Sequence, residues 1–111
     1  MDNSTSVIKS IQWQGDVATI NLAGEIDLHV SNQLQQDLTK VLASKPARIF
    51  LNLSEVPYMD SSGVASLVKL LSKTKARNIE LALQNPTNKI RSIFEITRLD
   101  SVFDIVSNQE R

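Results

Sequence analysis

The stretch Ile49-Phe50-Leu51-Asn52-Leu53-Ser54-Glu55-Val56-Pro57-Tyr58-Met59-Asp60-Ser61-Ser62-Gly63-Val64-Ala65 passes from an apolar run through a polar turn into a helical period. Ile49 to Leu53 is nearly continuous in apolar residues and reads as a central strand. From about Ser62 to about Lys75, the residues Val64, Leu67, Val68 and Leu71 stand at the i, i+3, i+4, i+7 spacing, which predicts a helix with those four on its buried face. The serines therefore fall at a helix start, where the first amides lack intrahelical partners and the aligned peptide dipoles leave partial positive charge. Asp60, Ser61 and Ser62 are all N-cap residue types, but one side chain suffices for a cap. Three candidates in a row leave a hydroxyl free for other chemistry, and Gly63 permits close approach of a second backbone.

Upstream, Val7 to Trp13 and Val17 to Ala23 alternate apolar and polar residues around the turn-forming Gln14-Gly15-Asp16, which predicts a β-hairpin with Trp13 as a packing residue. Gly24 leads out of the second strand, and Glu25 and Asp27 precede a helix from about Leu28 to Ala43. In that position the two carboxylates serve capping and dipole compensation. Val30, Leu34, Leu38, Val41 and Leu42 form the apolar stripe of this surface helix, and Ser44-Lys45-Pro46-Ala47 ends it. Downstream, Lys75-Ala76-Arg77-Asn78 suits a helix C-terminus, with Asn78 in the left-handed position. A strand over Ile79 to Leu83 follows, then a helix carrying Ile90, Ile93, Phe94 and Thr97 on one face. A helical turn within Asp100 to Asp104 and an edge strand at Ile105-Val106 complete the chain. The order β-β-α-β-α-β-α-β predicts an α/β fold: a mainly parallel sheet of 4-5 strands with an antiparallel first strand, 3-4 helices and right-handed crossovers. Sites in such sheets gather at the carboxyl ends of strands, so Gly24 to Ser31 and Tyr58 to Gly63 are expected to form one surface.

Composition narrows the function. The 111 residues suit one domain, here 7–106, between a flexible N-terminus, 1–6, and a polar tail, 107–111. Twelve basic residues balance twelve acidic ones and no five-residue run carries one sign, which argues against direct nucleic-acid binding and a polybasic membrane patch. The chain has no cysteine and one histidine, His29, so a disulfide framework, a zinc cluster and a Ser-His-Asp triad are all excluded. The absence of cysteine fits a reducing compartment. With no export signal and no long apolar window, the sequence points to a soluble cytoplasmic protein without membrane insertion. Glu25 and Asp27 have no second cluster to make an acid/base site, and Ser61 has no adjacent base and no Gly-x-Ser-x-Gly elbow, so no enzyme is expected.

Leu22-Ala23-Gly24-Glu25-Ile26-Asp27, Leu51-Asn52-Leu53 and Tyr58-Met59-Asp60-Ser61-Ser62-Gly63, in this order and spacing, resemble the STAS domain family, and within it the anti-sigma factor antagonists. The resemblance spans roughly Val7 to Val106. It implies a SpoIIAA-like STAS fold and a partner-switching protein. The unphosphorylated chain binds an anti-sigma factor that is also a serine kinase, which frees the sigma factor, and phosphorylation releases the chain. By position the acceptor is Ser61, with Ser62 the second choice and the expected cap. Glu25, Asp27, Tyr58, Met59, Asp60, Ser62, Gly63 and Val64 are implied to face the partner. ATP and Mg²⁺ would belong to that kinase, the chain would have no cofactor of its own, and a PP2C-type phosphatase would restore the active form. The alternative within the same fold is a STAS interaction subunit that is not phosphorylated, for example in a lipid-transport ABC complex. Three features depart from close relatives. Val64-Ala65 replaces a frequent Leu-Gly, Arg98 stands where a helix-ending Gly is common, and too little chain follows Val106 for a full C-terminal helix.

Overall fold

In a computed structural model, which describes residues 6–107, the chain forms a five-stranded sheet with strands in sequential order. The expected flexible N-terminus, apart from Ser6, and the polar tail, apart from Ser107, lie outside the described residues. Strands β1 (Ile8–Gln14) and β2 (Val17–Ala23) form the antiparallel hairpin, closed at Gln14↔Val17 with Gly15 at φ +64°. Strands β3 (Arg48–Glu55), β4 (Glu80–Gln84) and β5 (Asp104–Val106) add in parallel. The connections are helices α1 (Leu28–Ala43), α2 (Ser61–Ala76) and α3 (Asn88–Ile96), the last followed by a 3₁₀ turn at Leu99–Ser101.

Alternation decides which sheet face is covered. Ala18, Ile20 and Leu22 on β2, Ile49, Leu51 and Leu53 on β3, and Leu81 and Leu83 on β4 are buried in one cluster with Leu34 and Leu38 of α1, Leu67 and Leu70 of α2, and Ile90 and Phe94 of α3. Phe94 stacks on Phe103 at a centroid separation of 5.5 Å, which closes the core beside β5. The opposite face is polar and partly open. Asn52 donates to Asn21 Oδ1 at 2.8 Å, Asn21 donates to Ser10 Oγ at 3.0 Å, and the Arg48 guanidinium lies 5.5 Å from the Phe50 ring centroid while pairing with Glu80.

Three expectations change. Helix α2 buries Gly63, Ser66, Leu67, Leu70 and Thr74, while Val64 and Leu71 are only partly buried and Val68 is 40% exposed. The helix is turned so that its small residues face inward: Gln35 of α1 donates to the Ser66 carbonyl at 2.7 Å, a contact that hydrophobic periodicity cannot register. Thr97, expected on the inner face of α3, is exposed because that helix ends at Ile96. Trp13 is 46% exposed, at the sheet edge, in a groove with Ile8, Ile11 and Val41 rather than in the core. Arg98 adopts the left-handed conformation at φ +63°, so α3 stops in the usual geometry with a residue that is strained there by about 1 kcal/mol. Asn78, at φ +58°, is left-handed as expected.

The rotated face of α2 makes a quantitative prediction. Leu67→Ala is expected to lower unfolding free energy by about 3 kcal/mol, as for a fully buried Leu, and Val68→Ala by less than about 1 kcal/mol. Urea denaturation of both variants measures this, and equal losses would restore the face centred on Val68.

Candidate functional site

The carboxyl ends of β2 and β3 are tied together beyond the regular ladder. Past Ala23, Gly24 turns the chain at φ +95° and its amide donates to the Glu55 carbonyl at 3.0 Å. Ile26 then pairs with Met59 in an isolated parallel bridge, in which the Ile26 amide donates to the Tyr58 carbonyl at 3.0 Å and the Asp60 amide donates to the Ile26 carbonyl at 3.1 Å. Both bridge side chains are buried, Ile26 fully and Met59 at 1% exposure. The loop after β2 and the turn after β3 thus form a single rim, as the strand order predicted.

Gly63 locks this rim to α2. A Cβ at that position would lie 2.5 Å from the Ile26 carbonyl oxygen and 2.9 Å from Met59 Cβ, so any side chain would force α2 away from the bridge. Its backbone is ordinary, and the requirement for glycine is one of space.

Asp60 is the N-cap. Its Oδ1 accepts from the amides of Ser62 at 2.9 Å and Gly63 at 3.1 Å, and its carbonyl accepts from Val64 at 3.0 Å. The expectation that Ser62 caps the helix is corrected, because Ser62 lies inside the first turn. Ser61 is the first helical residue. Its side chain is exposed, whereas Ser62 is half-buried, and neither hydroxyl has a hydrogen-bond partner among the described residues. Asp60 therefore frees both hydroxyls, and of the two Ser61 is the more open to solvent.

Asp27 repeats the arrangement one strand away: it caps α1 by accepting from the His29 amide at 3.0 Å. Glu25 is exposed on the same loop, Tyr58 is 41% exposed, and Val64 is half-buried. Met59 and Gly63, expected to face a partner, are buried and offer it no side-chain surface; they support the turn from beneath. Two rim residues escaped the sequence reading. Leu28, the first residue of α1, is 70% exposed, and an apolar residue off the stripe of Val30, Leu34 and Leu38 was the available signal. Lys89, in the first turn of α3, holds its ammonium 5.8 Å from the Tyr58 ring centroid, a contact between segments about thirty residues apart that no local pattern carries.

Four clefts of about 330 to 520 Å³ lie elsewhere on the domain, and none of these four is lined by Ser61. Among the described residues no group of three His, Cys, Asp or Glu is placed to hold a metal, and no helix is long and apolar enough to cross a membrane.

A singly covered, five-stranded mixed sheet with a capped serine turn at the end of its central strand is the architecture of a STAS domain. Residues 9–111 match the STAS domain family model, and the chain belongs to that family. It is 33% identical over 91 residues to the anti-sigma-B factor antagonist of Bacillus subtilis (strain 168), covering 82% of this chain and 83% of the relative. The fold is shared with an anti-sigma factor antagonist from Mycobacterium paratuberculosis, at a TM-score of 0.81 and 22% identity over 96% of this chain and 90% of that one. It is shared too with the anti-sigma factor antagonist SpoIIAA, at 22% identity in both states. The unphosphorylated form gives a TM-score of 0.75 over 91% of this chain and 90% of that one. The phosphorylated form gives 0.70 over 91% and 93%.

Two substitutions separate the supports of the turn. Gly63→Ala is expected to cost about 2 to 3 kcal/mol by overpacking against the Ile26 carbonyl, and Asp60→Ala about 1 to 2 kcal/mol by loss of the cap. Thermal and urea unfolding measure both, and a neutral Gly63→Ala would mean that α2 does not press on the bridge.

Proposed function

We propose that this chain is an anti-sigma factor antagonist switched by phosphorylation of Ser61. The unmodified protein binds an anti-sigma factor that is also a serine kinase, so that the sigma factor is freed; the phosphorylated protein lets go. The observation that carries the reading is the state of Ser61: an exposed hydroxyl without a partner, at the first position of a helix whose cap is supplied by its neighbour Asp60. The relatives named as anti-sigma factor antagonists, and a protein of the same fold solved in both phosphorylation states, support it.

The chemistry is supplied in trans. Ser61 Oγ forms a bond to the γ-phosphorus of ATP held with Mg²⁺ by the kinase, the bond to the β-γ bridging oxygen breaks, ADP leaves, and the serine proton passes to a base of the kinase. No residue of this chain within reach of Ser61 is needed as a base, so the chain is substrate and ligand, not enzyme. A PP2C-type phosphatase reverses the step by hydrolysing the phosphoester. ATP and Mg²⁺ stay on the kinase's side, and the reaction belongs to the cytoplasm.

Electrostatics explains release. A phosphoserine adds nearly two negative charges, here on a rim that already carries Glu25, Asp27 and Asp60. The flanking Tyr58 and Leu28 give the partner apolar anchors, and Glu25 and Asp27 give it charge to read. Forcing an uncompensated phosphate into such a contact costs about 2 to 5 kcal/mol, which corresponds to roughly 30-fold to several-thousand-fold in affinity. Exchange of partners then needs no refolding, because the bridge and cap beneath Ser61 are unaffected.

Intact-mass spectrometry after incubation with the anti-sigma kinase and ATP tests the reading. Wild type and Ser62→Ala are expected to gain one phosphate and Ser61→Ala none. An active kinase that leaves wild type unmodified would favour the constitutive interaction subunit instead.

A further inference from the structure

The N-terminus of α2 is poorly equipped to receive the phosphate proposed for Ser61. Of its first four amides, those of Ser62 and Gly63 are held by Asp60 Oδ1 and that of Val64 by the Asp60 carbonyl, which leaves the Ser61 amide alone without a partner among the described residues. The cap that frees the hydroxyl thus consumes the donors that ordinarily solvate an anion at a helix start, and it sets a carboxylate beside the phosphate. The modified state needs a cation from elsewhere.

The charges at this end of the sheet are mostly acidic: Glu25 and Asp27 follow β2, Glu55 ends β3, and Asp60 caps α2. Lys9 is committed to Glu55 at 3.0 Å. Lys89 makes no ion pair among the described residues, and its recorded contact is with the face of Tyr58. Its position is also unfavourable on its own helix, since a cation in a first turn opposes the helix dipole, and α3 is capped by the neutral Thr87. Arg91, two positions along, projects roughly 200° around the same helix and does not share its direction. Tyr58 lies three residues before Ser61 on the same rim, so their Cα atoms are at most about 11 Å apart, and a lysine carries its ammonium on a flexible four-carbon stem.

We propose that Lys89 is the intramolecular counter-charge of phosphorylated Ser61, and that its move from the Tyr58 ring to the phosphate releases Tyr58 from the position in which it meets the partner. This rests on Ser61 as the modified residue. In the unmodified chain the cation–π contact holds Tyr58 in place. An ammonium–phosphate contact is a stronger competitor for the same lysine. The switch would therefore act twice: it adds charge at Ser61 and loosens an aromatic anchor beside it.

The test uses phosphoserine placed at position 61 by genetic encoding, with no kinase involved, and NMR of the Lys89 ε-methylene and the ring of Tyr58, the chain's one tyrosine. In the unmodified chain the ε-methylene is expected upfield, shielded by the ring. With phosphoserine it moves to its free-lysine position and the Tyr58 ring resonances shift. In Lys89→Gln the Tyr58 response to phosphoserine becomes much smaller, and in Lys89→Arg it returns. An ε-methylene that stays shielded, or an equal Tyr58 response in Lys89→Gln, would overturn the proposal. A kinase that fails to modify Ser61 would count against the proposed function alone, because the phosphoserine here is encoded.

Discussion

The Ile26–Met59 bridge is the constraint on which the rest of the site depends. Two hydrogen bonds, from the Ile26 amide to the Tyr58 carbonyl and from the Asp60 amide to the Ile26 carbonyl, extend the pairing of β2 and β3 past the ends of the strands. Without that extension the two connecting segments would be separate loops, mobile in the manner of most loops. With it they are one rigid rim with buried apolar side chains beneath, and α2 can start only where Gly63 clears the Ile26 carbonyl. The helix start, the cap and the exposure of Ser61 all follow from that clearance.

The same constraint divides labour among neighbouring residues. Met59 and Gly63 face inward and fix the turn; Asp60 spends its carboxylate on two amides; Ser61 is left with an uncommitted hydroxyl at the surface. The tyrosine that precedes them has the ammonium of an α3 lysine over its ring. A domain built this way can change its surface chemistry by one covalent group while its core stays as it was. That property suits a protein that must fit one partner and then refuse it.

Much of this was legible in the sequence, for physical reasons. The hairpin, the three helices and the order of the parallel strands follow from local periodicity and from Gly15, Pro46 and Asn78 at the breaks, all of which are short-range signals. The adjacency of the two loops followed from topology. The rotation of α2 was not legible, because its inner face is built on Gly63, Ser66 and Thr74, which carry no hydrophobic signal. The assignment of the cap to Asp60 rather than Ser62 was a choice among three suitable residue types one position apart, and only the backbone decides it. Lys89 and Leu28 were missed for opposite reasons: the first acts through a long-range contact, the second is conspicuous only against the pattern it breaks. The surface position of Trp13 shows that a large aromatic on an edge strand is not core by right.

A phosphate on Ser61 is proposed to weaken partner binding strongly while leaving the fold intact. Isothermal titration of the anti-sigma kinase with the chain carrying encoded phosphoserine at position 61, beside the unmodified chain, measures it most directly. At least about 30-fold weaker binding with an unchanged unfolding transition is expected. Equal affinity of the two forms, or weaker binding accompanied by a loss of folded structure, would contradict it.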